Sequence, residues 1–209
     1  MQIHDLPTFL DYFDKIHQRT MRVARCIPAD KIEWTYREGQ FTLGDLVRHI
    51  AAINRYMYAE TVSGRPSRYA GCGKHLADGC DAVVEFAERL HRESVEIFAR
   101  LTAEDLNRKS VTPDGAPITT WKWLRAMVEH EAHHRGQIYL YLSMLGVPTP
   151  PLYGLTSEQV RERSVRGSGR ARALVISSRV TQGANMLAVG RRQSHAVSAV
   201  VQGIPLGAG

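Results

Sequence analysis

Between Pro117 and Gly146 the chain keeps a helical stripe of large side chains, and imidazole interrupts it. Steps of four and three pick out Trp123, Met127, His130, His134, Gln137, Tyr141 and Met144 on one face. Thr119 or Thr120 is placed to cap the start, Gly146 ends the run, and Pro148 forbids its continuation. A stripe of this kind must be covered by other helices, so His130 and His134 are expected in the interior. Residues four apart lie one turn along the axis and about 40° around it, which lets these two rings converge on one point. His133 is about 100° from His134 and flanks the stripe.

Three earlier segments share the helical period. The first, about Pro7 to Cys26, aligns Phe9, Phe13, Ile16, Thr20 and Val23, with Pro7 in its first turn. The second runs from Phe41 to about Ser63, starts on a Thr42/Asp45 capping pattern, and aligns Leu46, His49, Ile50, Ile53, Tyr56 and Met57. The third, about Asp81 to Leu101, spaces Val83, Phe86, Leu90, Ile97 and Leu101. Extended alternation occurs only in Glu33–Tyr36, too short to build a sheet. The expected class is all-α, a four-helix bundle. The second and third helices are joined by residues 64–80, rich in Gly, Pro and polar side chains. These 17 residues reach about 56 Å when extended, against about 33 Å for a 22-residue helix. The joined helices can therefore be parallel or antiparallel.

The formal charge of +6 belongs to the C-terminal segment. Residues 166–209 hold six arginines, no lysine and no acid, which leaves residues 1–165 with 21 basic and 21 acidic side chains. The bundle thus has no overall positive field for nucleic acid. Residues 1–165 are read as the domain and 166–209 as a basic, poorly ordered extension. The N-terminus shows no signal-peptide pattern and no apolar run is long enough to span a membrane, so a cytoplasmic protein is expected. Cys26, Cys72 and Cys80 contain no C-x-x-C pair and read as free thiols.

His49 also sits on an apolar face, between Leu46 and Ile53. Three inward imidazoles on two helices suit one divalent cation, because neutral imidazole is a common ligand and buried nitrogens need partners. The alternative is a set of histidines hydrogen-bonded to neighbouring helices. His130-Glu131-x-x-His134 also fits the zinc-peptidase pattern, with Glu131 as base. The metzincin extension fails at Gln137 and Leu140, and no strand is offered for a peptide substrate. His4, His17, His75, His91 and His195 read as surface or secondary residues. Asp45 is either a cap or a partner for His49. Trp123 and Tyr141 are candidates to line a pocket, and Arg135 and Gln137 to hold polar groups of a substrate.

The stretches LGDLVRHIAAINRYMYAETVSGRPSRYAG and TPDGAPITTWKWLRAMVEHEAHHRGQIYLYLSMLG carry a resemblance. From about residue 5 to 164 the sequence resembles the DinB-like proteins, the four-helix-bundle superfamily that includes bacillithiol transferases and mycothiol-dependent isomerases. The family pattern, one histidine on the second helix and an H-x-x-x-H pair before R-G-Q on the fourth, matches His49, His130 and His134. The resemblance implies a long crossover between helices two and three, a homodimer, and one divalent metal, usually nickel or zinc. It also implies reactions of low-molecular-weight thiols on a small-molecule substrate, of S-transferase type, or else hydrolysis. A non-catalytic, metal-stabilised binding bundle is the competing expectation.

Overall fold

Each of the four amphipathic segments forms a bundle helix, and two of them start on side-chain caps. The computed structural model describes residues 2–165. Helix α1 (Leu6–Ala24) begins at Asp5, which accepts a hydrogen bond from the Thr8 N–H at 2.8 Å, and buries Phe9, Phe13, Ile16, Thr20 and Val23. Helix α2 (Leu43–Ile53) starts on the reciprocal Thr42/Asp45 capping box. It passes through one π-helical turn (Asn54–Tyr58) into α3 (Ala59–Val62). Helix α4 (Cys80–Phe98) is followed by the short α5 (Ala103–Asn107) and a hairpin of β1 (Lys109–Val111) and β2 (Pro117–Thr119), in which Ser110 faces Ile118. Helix α6 (Thr120–Met144) completes the bundle, with Thr119 as its N-cap residue. The sequence reading contained neither α5 nor the hairpin. Glu33–Tyr36, expected to be extended, pairs with no strand and follows a 3-10 turn at Ala29–Lys31.

Two apolar clusters stacked along the bundle reveal the helix directions. One joins Ala24 at the end of α1, Leu46 and Val47 early in α2, Val83 and Phe86 early in α4, and Ile138 and Leu142 late in α6. The other joins Phe9 and Phe13 of α1, Val62 of α3, Phe98 of α4, and Leu124 and Met127 of α6. Helices α2 and α4 therefore run parallel, α1 and α6 run parallel, and the two pairs are opposed. Around the bundle the order is α1, α6, α2, α4. Parallel neighbours cannot be joined by a hairpin, so the linker from α3 to α4 travels the length of the bundle. This is the long crossover.

The bundle unit closes at Leu152, and the described residues from 153 belong to a second unit. There Thr156 and Gln159 exchange hydrogen bonds at the start of a helical stretch over 157–165. The extension expected at 166–209 lies outside the described residues. Among the described residues no helix is long and apolar enough to cross a membrane, and Cys26, Cys72 and Cys80 are free.

Two buried ion-pair groups hold the connections. The Arg48 guanidinium is fully buried; it donates to the Gly44 carbonyl at 3.2 Å and pairs with Glu33 and Asp45. Gly44 must lack a side chain, since a Cβ there would run into Arg48 and come within 2.9 Å of the Ile32 carbonyl. At the start of the crossover, Glu60 is buried among Arg55 at 2.5 Å, Arg65 at 2.5 Å and Arg68 at 2.6 Å. Burial works against its charge, but hydrogen bonds from Arg65, Arg55 and Arg68 outweigh that and hold its pKa at about 2, below its ordinary 4.5. A depressed carboxylate stabilises the fold above its ordinary pKa, and the contribution is lost as pH falls from 4.5 toward 2. Glu60→Gln is expected to cost about 3 kcal/mol at neutral pH. Urea melts should show that deficit shrinking toward pH 2, and an equal deficit at both ends would show that charge pairing is not its source.

Candidate metal centre

Helical spacing brings His130 and His134 to one side of α6, and α2 presents His49 opposite them. The Nε2 atom of His130 lies 3.2 Å from Nε2 of His49 and 3.0 Å from Nε2 of His134. His49 and His134 are buried and His130 is half-buried. Among the described residues this is the group of three whose ligand atoms could hold a metal ion. The outward nitrogens are fixed as well. Nδ1 of His49 lies 2.7 Å from the Tyr69 hydroxyl, and Nδ1 of His134 lies 2.6 Å from Oε1 of Gln137.

An amide oxygen can only accept, so His134 carries its proton on Nδ1 and turns a bare Nε2 lone pair inward. Burial, and then the Cys72 thiol beside it, keep the Tyr69 hydroxyl protonated. A Tyr69 oxygen that accepts from His49 Nδ1 likewise leaves His49 Nε2 bare. His130 Nε2 then faces two lone pairs and can donate to one of them at most. A cation satisfies all three together, and nitrogens sharing one at about 2.1 Å lie about 3.0–3.4 Å apart. The three rings fit that use.

Electrostatics keep the rings neutral. Burial, then the neighbouring His134, lowers His49 to a pKa of about 4. Burial, then His134, His49 and His133, lowers His130 to about 4. His134 is lowered chiefly by burial, against the opposing Gln137 hydrogen bond. Metal ligands must be unprotonated, and these are so across the neutral range. His130 Nδ1 is buried without a hydrogen-bond partner among the described residues.

Other residues singled out in the sequence divide. Gln137 orients His134. Asp45 serves the helix cap and Arg48. Arg135 is buried and donates to the Ile16 carbonyl at 3.4 Å, so it is part of the core. Trp123 donates to Thr61 at 2.9 Å and packs on Tyr58, while Tyr141 meets Trp34 and Tyr36 edge-on. His133 is exposed beside His134. Glu131, the base of the peptidase pattern, is fully buried; its oxygens accept from Thr20 at 2.7 Å and Asn54 at 2.9 Å, leaving it no access to a substrate. His91, expected at the surface, is buried, and His17 stacks on it. His195 lies outside the described residues. Tyr69 and Phe41 were missed. Phe41 sets its ring centroid 5.1 Å from that of His49 and 6.2 Å from that of His134. Both come from loops, where periodicity says nothing; Tyr69 is the one Phe, Tyr or Trp between α3 and α4, whereas Phe41 shares its segment with Trp34 and Tyr36.

Comparison with known proteins agrees with the fold. Residues 12–138 match the family model of the DinB superfamily. The uncharacterized protein YjoA of Bacillus subtilis (strain 168) is 24% identical over 137 residues, 64% of this chain and 86% of that protein. The crystal structure of the DinB-like YjoA superposes with a TM-score of 0.58 at 22% identity, covering 69% of this chain and 96% of that one. A DinB-like protein from Bacillus cereus ATCC 10987 gives 0.58 at 17% identity, covering 68% and 94%. YfiT from Bacillus subtilis, described as a probable metal-dependent hydrolase with an unusual four-helix bundle topology, gives 0.57 at 16% identity, covering 71% and 91%. At these identities the structural likeness is one of fold.

Tyr69→Phe removes only the hydroxyl that steadies His49. Zinc affinity, measured by competition with a chromophoric chelator, is expected to fall about 10- to 100-fold. His133→Ala should leave it unchanged. Unaltered affinity in Tyr69→Phe would mean that the hydroxyl does not orient the ring.

Proposed function

Because the chain belongs to the DinB superfamily, we propose that it is a metal-dependent enzyme of S-transferase type acting on a low-molecular-weight thiol. In this reading His49, His130 and His134 hold one divalent cation, nickel or zinc. The observation that carries it is the convergence of three neutral Nε2 atoms whose outward nitrogens are already engaged or buried. When bound, the cation supplies Lewis acidity that lowers the pKa of a thiol or water placed against it.

The chain's own residues then orient and exclude. Tyr69 and Gln137 hold two rings in the tautomer that offers Nε2, and Phe41 places an apolar wall beside His49 and His134. Glu131 is committed to the core, so the carboxylate of the peptidase pattern is not a proton acceptor for substrate. That favours a thiol, which ionises near pH ~8.5, over water, which ionises near ~15.7 in bulk. Hydrolysis is the second reading, favoured by the description of YfiT as a probable metal-dependent hydrolase on the same fold. A cytoplasmic homodimer and a small-molecule substrate complete the proposal.

The test starts from protein purified without a nickel column, wild type beside His49→Ala and His134→Ala. Elemental analysis is expected to find bound metal in the wild type and little in either variant. Equal retention in all three would end the three-histidine assignment. Conjugation of a panel of biological thiols to an activated aryl halide should then proceed with wild type and fall about 100-fold or more in the variants, the loss of about 3 kcal/mol of transition-state stabilisation. Turnover of activated esters without any thiol would favour hydrolysis. Metal binding with silence in both assays would favour a binding protein.

A further inference from the structure

Metal-ligand candidates lie between α2 and α6, and the opposite side of the bundle is the junction of α1 with α4. A cleft of about 670 Å³ opens there, within the size range of small-molecule sites. Arg19 and Arg22 line it from α1, Arg25 from the C-cap of that helix and Arg92 from α4, and His17 and His91 belong to the same lining. Spacing by three residues puts the α1 guanidiniums on one helical face. Glu88, a carboxylate in that lining, is paired with Arg25. Arg22 donates to the Leu152 carbonyl, a neutral acceptor that leaves its charge uncompensated.

The two imidazoles make a flat surface. Their rings are parallel within 3°, with centroids 3.8 Å apart, and Nε2 of His91 faces Asp14 at 3.3 Å. Burial, then the charges of His91, Arg25 and Arg92, lowers His17 to a pKa of about 3. His91 is lowered too, by burial and against the pull of Asp14. Arg92 thus adds positive charge beside both rings, and Arg25 beside His17, a field that an anion in the cleft would relieve.

We propose that the α1–α4 cleft is a second binding site, independent of the metal centre, for a small phosphorylated molecule whose phosphate oxygens are taken by Arg22 and Arg92. Guanidinium forks match phosphate in a bidentate way that a scattered set of lysines does not. A long polyanion is a poorer fit. Residues 1–165 carry equal numbers of basic and acidic side chains, so no extended positive track continues beyond the cleft.

Pyrophosphate is the probe, titrated calorimetrically into the full chain and into His134→Ala, which lacks one proposed metal ligand. Saturable binding of equal strength is expected in both. Arg22 and Arg92 are exposed, so the double variant Arg22→Ser/Arg92→Ser should keep the wild-type melting curve. It should weaken binding about tenfold or more, the loss of two charge-assisted hydrogen bonds. Should the double variant melt early, Arg92→Glu alone repeats the measurement with the same expectation. Pyrophosphate should also move the ring signals of His17 and His91 in NMR spectra. The proposal falls if millimolar pyrophosphate shows no saturable binding, or if binding disappears in His134→Ala while surviving the arginine substitutions. It falls equally if sulfate binds as tightly as pyrophosphate, since the cleft would then be a site for any anion.

Discussion

Glu131 has no exposed surface, and its two oxygens accept hydrogen bonds from Thr20 in α1 and from Asn54 in the π turn after α2. A buried carboxylate without partners would cost several kcal/mol or lose its charge. Burial does raise its pKa, and the hydrogen bonds from Thr20 and Asn54, with the charge of Arg135, oppose that rise. Arg135, four residues on, reaches the Ile16 carbonyl and Thr20 at 3.4 and 3.5 Å. Together these contacts permit α6 one rotation about its axis. That rotation sends His130 and His134 toward His49. The π turn belongs to the same device, because it brings Asn54 inward at the level of Glu131; such turns are frequent beside functional sites. The histidine centre and the buried carboxylate network are two consequences of one helix orientation.

The crossover supplies what the helices lack. Since α2 and α4 run parallel, the chain between them must pass along the bundle, and on the way it lays Tyr69 against His49. On another side the fully buried Arg48 of α2 holds Glu33 of the segment before that helix, and this segment places Phe41 beside His49 and His134. Helices present the three Nε2 atoms, while loops steady a ring and wall one side of the site. Rigid elements carry the convergence and irregular ones tune it, a division common in sites built on bundles.

How much of this was legible depends on the kind of signal. Phe9, Phe13, Ile16, Thr20 and Val23 are all buried, as the period of α1 requires. The later helices were read less completely. Phe98 is buried where the pattern favoured Ile97, and Met144, placed on the stripe of α6, is 56% exposed while Leu142 and Leu145 pack on the core in its stead. His17 and His91 were passed over, since each alone looks like a polar residue on a helix flank. Only the packing of α1 on α4 stacks them. Glu131 was visible as a letter in a peptidase pattern, and its partners on two other helices decide that it belongs to the core.

The sequence by itself determined the four bundle helices, the Thr42/Asp45 cap, the free cysteines, the family resemblance and the three histidines facing inward. These rest on local periodicity and short-range hydrogen bonds, which neighbouring residues set. Tertiary structure alone decided that α2 and α4 run parallel, that Nε2 of His49 on α2 comes within 3.2 Å of Nε2 of His130 on α6, that Tyr69 and Phe41 attend them, and that arginines of α1 and α4 share a cleft. The helical period of 3.6 residues tells which face a side chain occupies. It contains no information about which other face will be brought against it.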